Sequence, residues 1–275
     1  MMLPERGNSN VRPPAVAGLF YPDDERELRD AVSVYLGQHD VATAAAAPPK
    51  ALIVPHAGYI YSGGIAAAAY ATVARLRHAI RRIVLIGPSH RVYLRGMAVP
   101  AAGAFATPLG KVEIDRALKL ALLQRGDVAE ADAPHAQEHC LEVQLPFLQM
   151  LFDEFTLLPL VLGSVAREHV ADALAEVWGD AATLVLVSSD LSHYHSYEQA
   201  QEIDAVTSAA ILGREATLVG EQACGSVGIN GLLHLAGQRG LAVSQIARCN
   251  SGDTAGDRSR VVGYGAFAVH EPGHA

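Results

Sequence analysis

Apolar residues arrive in this chain in short unbroken runs. Ala51-Leu52-Ile53-Val54, Ile83-Val84-Leu85-Ile86 and Leu184-Val185-Leu186-Val187 read as strands buried on both faces. From residue 51 onward such runs alternate with segments of helical period, which predicts an α/β fold with helices over both faces of a sheet. Each run closes on a polar turn that carries chemistry. The first runs into Pro55-His56-Ala57-Gly58-Tyr59 and a glycine-rich turn, the second into Gly87-Pro88-Ser89-His90, the third into Ser188-Ser189-Asp190-Leu191-Ser192-His193. Open α/β sheets place ligands at the carboxyl ends of their strands. Three strands delivering His56, His90 and Asp190 with His193 to one rim therefore make a site.

The remaining pattern fills in the architecture. Residues 1–14 read as an arm, 15–22 as an apolar segment packed on the body, and 41–49, rich in alanine and proline, as a linker. Asp23 or Asp24 caps a helix with Leu28, Ala31, Val32, Tyr35 and Leu36 inward, closed at Gly37. Helices are predicted over 65–76, 115–126, 166–179, 197–212 and 228–240, the fourth with Ile203 and Val206 inward. A polar loop at 135–139 feeds another helix through Val143, Leu145, Phe147, Leu148 and Leu151. Short β pieces at 97–100 and 104–107 suggest antiparallel additions. A strand at 155–163 carries Pro159, which argues for an edge or a bulge there. Two last strands are predicted at 243–248 and 260–269, and all 275 residues fit one domain.

Composition narrows the function classes. The chain is 50% hydrophobic and 18% charged with a formal net charge of −8, which suits a soluble enzyme and gives no basic face for nucleic acid or for a membrane surface. The amino terminus lacks the apolar core of a secretory signal, and no run is long enough to span a bilayer. Three cysteines, Cys140, Cys224 and Cys249, without a CxxC spacing point to a reducing compartment, with the cytoplasm as the expectation.

The candidate chemistry sits at the strand ends. His56 and His90 suit two neutral imidazole metal ligands, or alternatively backbone partners that merely finish their strands. Asp190 either orients His193 as a general acid or base, or caps a short helix. Glu138 and Glu142 in Glu138-His139-Cys140-Leu141-Glu142 are favoured at a helix start by its dipole, and His139 suits a hydrogen bond to a ligand or substrate. Cys140 reads as a packed thiol. Cys224, just before a helix, is expected to have its pKa lowered by the helix amides, giving a thiolate able to ligate metal or attack carbon. His39, His78, His169, His270 and His274 have no surroundings that call for a role.

Taken together, Pro55-His56-Ala57-Gly58-Tyr59, Gly87-Pro88-Ser89-His90, Glu138-His139-Cys140-Leu141-Glu142-Val143-Gln144-Leu145-Pro146-Phe147, Ser188-Ser189-Asp190-Leu191-Ser192-His193-Tyr194 and Cys224-Gly225 resemble, in order, the motifs of the Memo family. Prokaryotic members are labelled AmmeMemoRadiSam system protein B. The resemblance runs from about Arg12 through Ala17-Gly18-Leu19-Phe20-Tyr21-Pro22 to Val262-Gly263-Tyr264. It implies a single α/β domain with a central mixed β-sheet flanked by helices, like the class III extradiol dioxygenases. It implies further that His56, His90 and Cys224 bind one metal ion, the cysteine standing where the dioxygenases carry a glutamate. His193 would be the acid/base with Asp190 beside it, and Tyr59, Ser89, Glu138 and His139 would line the pocket or support the ligands. Two departures stand out: Arg91 where many relatives have a second histidine, and Cys140 where serine is common.

A two-histidine, one-cysteine set is softer than the dioxygenase triad, so iron or copper is expected first and zinc is acceptable. The function implied is non-heme, dioxygenase-like redox chemistry on an unknown small substrate. Two alternatives stay open: a metal-free thiol enzyme with Cys224 as nucleophile, His193 as base and Asp190 as orienter, and a non-catalytic module that binds a peptide or protein in the cleft. The family label implies AMMECR1-like and radical-SAM proteins as partners.

Overall fold

The computed structural model describes residues 11–39 and 48–272. Strand β1 (Val11–Arg12) opens the chain and helix α1 (Glu25–Gly37) follows. The Asp24 side chain caps α1 by accepting from the Arg26 and Glu27 amides. Next come β2 (Ala51–Val54), α2 (Tyr59–Ala71), β3 (Arg82–Pro88), β4 (Met97–Val99), the hairpin β5 (Ala104–Thr107) and β6 (Gly110–Glu113), α3 (Arg116–Leu122) and β7 (Val128–Glu130). The short α4 (Ala133–Ala136) and α5 (Leu145–Leu151) lead to β8 (Thr156–Leu162), α6 (Arg167–Val177) and β9 (Thr183–Ser188). The chain finishes with β10 (His193–His195), α7 (Tyr197–Leu212), α8 (Ser226–Arg239), β11 (Ala242–Asn250) and β12 (Val261–His270).

A mixed nine-stranded sheet runs β10-β12-β2-β9-β3-β8-β4-β7, with β11 also paired to β12. The four central strands β2, β9, β3 and β8 are parallel, so their carboxyl ends share one rim. Alternation along each strand sorts the core into two layers. Leu52, Ile83, Leu85, Leu184 and Leu186 face α1, α2 and α5, whereas Ile53, Val84, Ile86, Val185 and Val187 face α6 and α8. This is a single α/β domain with a central mixed sheet flanked by helices.

Several boundaries differ from the sequence expectation, each for a tertiary reason. The helix expected over 65–76 begins at Tyr59, so Gly63 and Gly64 lie inside α2 rather than in a turn. A Cβ on Gly63 would sit 2.9 Å from the Tyr35 ring, so this glycine lets α1 and α2 approach closely. Val206 on α7 points outward at 65% exposure, and the inward position belongs to Asp204, whose Oδ1 accepts from the Ser192 amide. Residues 11–12 of the expected arm form β1, parallel to β5. The β4 strand joins β8 antiparallel but β7 parallel. Pro159 sits in a strand with neighbours on both sides. The Leu157 carbonyl accepts from Asp115 N, so alternate residues 157, 159 and 161 turn their backbone groups away from β3. Pro159 therefore lacks its donor on the side that β4 reaches only at Val161 and Leu162. The linker expected at 41–49 falls outside the described residues except for Pro48 and Pro49, and His274 lies outside them too.

Candidate metal centre

The shared rim gathers the predicted groups. β2 delivers His56, its neighbour β9 delivers Asp190, and β3 on the other side of β9 delivers His90. Cys224 arrives from the turn before α8. That turn comes down on β9 because residue 225 is glycine: a Cβ there would lie 2.6 Å from the Ser189 Cβ and 2.7 Å from the Ser188 carbonyl oxygen. One nitrogen each from His56 and His90 and the Sγ of Cys224 all lie within 4.8 Å of one another.

Hydrogen bonds decide which nitrogen each imidazole offers. His56 Nδ1 lies 2.9 Å from Ser188 Oγ. That hydroxyl donates to the Cys140 carbonyl at 2.6 Å and accepts from Gln144 Nε2 at 3.0 Å. Gln144 is fixed in turn, with Nε2 donating to the Pro55 carbonyl and Oε1 accepting from Tyr70 OH. A serine hydroxyl has one proton to give, so it can only accept from His56, which places the His56 proton on Nδ1. The Nε2 lone pair is left facing Cys224 Sγ, 3.2 Å away. Burial first, then the neighbouring His90, holds the His56 pKa well below the usual histidine value, so the ring is neutral.

His90 is fixed by a carboxylate. Its Nδ1 lies 2.8 Å from Glu138 Oε1 and its amide donates to Glu138 Oε2. The His139 and Cys140 amides also donate to Oε1. Burial opposes ionisation of Glu138, but the hydrogen bonds and charge from His90 and the backbone donors hold its pKa at about 2. The carboxylate keeps the His90 proton on Nδ1 and leaves Nε2 free, as it does beneath many metal-bound histidines. Two imidazoles whose Nδ1 atoms are already engaged, and a thiol sulfur, form a donor set that fits one metal ion of soft or borderline character.

The other predicted groups are placed unevenly. Asp190 and His193 both line the cavity in front of these donors. Asp190 Oδ1 accepts from the His56 amide and the Asp190 amide donates to Cys224 Sγ at 3.3 Å, so it is no helix cap. Burial pushes its carboxyl pKa up. Burial, followed by the Asp190 charge, likewise pushes the Cys224 thiol up to about 12, opposite to the lowering expected from helix amides. The imidazole hydrogen-bonded to Cys224 is His56, so the Cys224-His193-Asp190 relay is not formed as expected.

His139 lines the cavity, stacked on His90 at 4.7 Å between ring centres and edge-on to His56 at 5.3 Å. Its Nδ1 lies 3.2 Å from Glu138 Oε1 but off the hydrogen-bonding direction, and is buried without a partner. Burial first, then His56, lowers its pKa to about 4. Tyr59 does not line the cavity. It is buried with its hydroxyl donating to the Val143 carbonyl, and Tyr61, two residues on and across the helix, lines it instead. Ser89 closes a turn through its hydroxyl to the Val92 carbonyl. Cys140 is a packed, buried thiol donating to the Pro88 carbonyl. His78 and His169 pair with Asp153 and Asp127 on the surface.

The cavity measures about 820 Å³. Phe20, which lines the cavity, packs tilted at 44° against His139 with ring centres 4.8 Å apart. The segment carrying Phe20 is held by Glu142, which is fully buried and accepts from Arg12, the Ala15 and Val16 amides and Tyr21 OH. Sequence reading assigned no role to Ser188, Gln144, Tyr61, Tyr264 or Arg12, although Ser188 and Gln144 stand inside the quoted motifs and Arg12 and Tyr264 at the ends of the resemblance.

A family profile described as "Memo-like protein" matches residues 12–268. The chain belongs to the Memo family. It is 37% identical over 269 residues to a "MEMO1 family protein" of Aquifex aeolicus, covering 92% of this chain and 97% of that one. A relative of the same description from Ignicoccus hospitalis is 38% identical over 286 residues, covering 95% and 99%. The solved structure of an uncharacterized protein from Escherichia coli K12 overlaps with a TM-score of 0.49 at 12% identity, covering 79% of this chain and 98% of that one.

Proposed function

We propose that this Memo-family protein is a metal-dependent oxidoreductase in which His56, His90 and Cys224 hold one iron or copper ion against a small substrate in the cavity. The observation that carries this reading is the convergence of the three donor atoms within 4.8 Å, with both Nδ1 protons already committed to Ser188 and Glu138. When bound, such an ion supplies Lewis acidity and electron transfer at its open positions. The protein supplies the rest. Ser188 and Glu138 hold the imidazoles in the tautomer that ligates, so little reorganisation is needed. His193, which lines the same cavity, is the group we assign to take or give a proton on substrate. Phe20, Tyr61 and Tyr264 narrow the water around it.

The test is metal content by mass spectrometry on protein purified without oxygen or chelator, for wild type, His56→Ala, His90→Ala and Cys224→Ala. The expected outcome is near-stoichiometric iron or copper in wild type and its loss in every variant, followed by oxygen uptake with a screen of small aromatic and carbonyl compounds. No metal after anaerobic reconstitution overturns the reading. It would favour thiol chemistry, for which the 3.2 Å approach of Cys224 Sγ to His56 Nε2 names His56 as the base. Alkylation of Cys224 unaffected by added metal would mark that case.

A further inference from the structure

The cavity wall contributed by β10 and β12 is built unlike a strand edge. Side chains of an extended strand alternate between faces, so His193 and His195 should share one side and Tyr194 the other. Here all three line the same cavity. The register between β10 and β12 shifts between His193 and His195, and Tyr194 takes a φ of +65°, in the left-handed region that a side-chain-bearing residue enters at a cost. Tyr194 is 62% exposed, so its burial does not offset that cost.

What the distorted backbone achieves is a platform. The Arg260 guanidinium lies 4.5 Å from the centre of the Tyr194 ring, and Arg260 lines the same cavity as the three metal donors. Among the described residues no carboxylate and no hydrogen-bond acceptor engages that guanidinium. Stacking on an aromatic face orients the planar fork while leaving its N–H donors available. The lining also includes Glu221 and Asp257, neither paired with Arg260 among the described residues, and Asp257 accepts from the Ser259 amide. These two carboxylates repel anions, so a ligand bearing several negative charges is disfavoured and a single one is matched to the oriented Arg260.

We propose that Arg260, braced by Tyr194, binds the carboxylate of a small monoanionic substrate whose other end reaches the His56, His90 and Cys224 centre. This names the substrate class for the function proposed above and rests on that reading for the metal end alone. A guanidinium fork and a carboxylate make two parallel hydrogen bonds, a geometry that a neutral amide cannot reproduce.

The test uses 4-fluorobenzoate and its neutral counterpart 4-fluorobenzamide, followed by fluorine NMR titration of the full chain before and after chelator treatment. Wild type is expected to prefer the carboxylate by roughly tenfold, the scale of one charge-assisted pair. Arg260→Ala should abolish that preference with metal content and melting temperature unchanged, since the side chain is exposed. Arg260→Lys should restore only part of it, and Tyr194→Gly, which removes the ring and the positive-φ cost together, should reduce it without lowering the melting temperature. Equal binding of both compounds, no binding of either, or a preference that survives Arg260→Ala overturns the inference. Failure of the metal reading would leave the carboxylate preference in place, whereas failure of this inference would leave metal content in place.

Discussion

Glu138 and Glu142 stand one helical turn apart in sequence, are both essentially inaccessible to water, and each accept four hydrogen bonds. They do different work. The donors to Glu142 are a guanidinium, two amides and a tyrosine hydroxyl, and its bonds hold the N-terminal segment to the body. One donor to Glu138 is the His90 ring, whose second nitrogen belongs to the converging donor set. A buried carboxylate is therefore structural or functional according to what its donor does with its other end, and burial or charge alone does not separate the two.

The sharpest way to break this contrast is to neutralise each acid in turn. Glu142→Gln leaves the Arg12 guanidinium buried without its counter-charge, and removing one partner of such a pair costs about 3 to 5 kcal/mol. Denaturant unfolding should show that loss, while metal bound per folded molecule stays at the wild-type level. Glu138→Gln should do the reverse. Without the carboxylate the His90 tautomer is no longer fixed, and metal affinity measured by competition with a chelator should fall about 10- to 100-fold, with a smaller loss of stability than in Glu142→Gln. If both variants lose metal in proportion to stability, the division of labour between the two acids is wrong.

The contrast also marks what could be read from the chain. The central strands and the rim they share were legible because Ala51–Val54 and Thr183–Ser188 are continuous apolar runs ended by polar turns, and local pattern decides such elements. Asp24, which caps α1, was one of two acids anticipated for that role, and α7 has the bounds its period predicts. The support of the site was not legible. Ser188 reaches His56 across 132 positions and Gln144 reaches Ser188 across 44, and no periodicity encodes such pairs. The start of α2 was misplaced because Gly63 looks like a turn until the Tyr35 ring is seen against it. Tyr59 was expected at the pocket, but with α2 starting at Tyr59 its side chain is buried and Tyr61 lines the cavity. Tyr194 acquires its backbone only through pairing with β12, more than 60 residues on, so its place on the cavity wall had no local signal.

A finer test separates the buried histidines of the candidate metal centre from one that lies outside it. His135 is 2% exposed and its Nε2 lies 3.0 Å from the Ala98 carbonyl, while its backbone carbonyl accepts from Arg12 Nε. Burial, only partly offset by that Ala98 hydrogen bond, lowers its pKa to about 4 from 6.5. The folded state thus binds fewer protons than the unfolded chain between those values. Its contribution is fully present above pH 6.5 and is lost as the pH falls toward 4. At pH 5 the loss from this one ring is about 2 kcal/mol. Glutamine can keep the donor to Ala98 without titrating. His135→Gln should therefore unfold with a stability difference between pH 7 and pH 5 smaller than that of wild type by about 2 kcal/mol. Its metal content at pH 7 should not change, because neither nitrogen of His135 belongs to the converging donor set. An unchanged pH dependence would move the acid sensitivity of the fold to the rings of the site, His56 and His139.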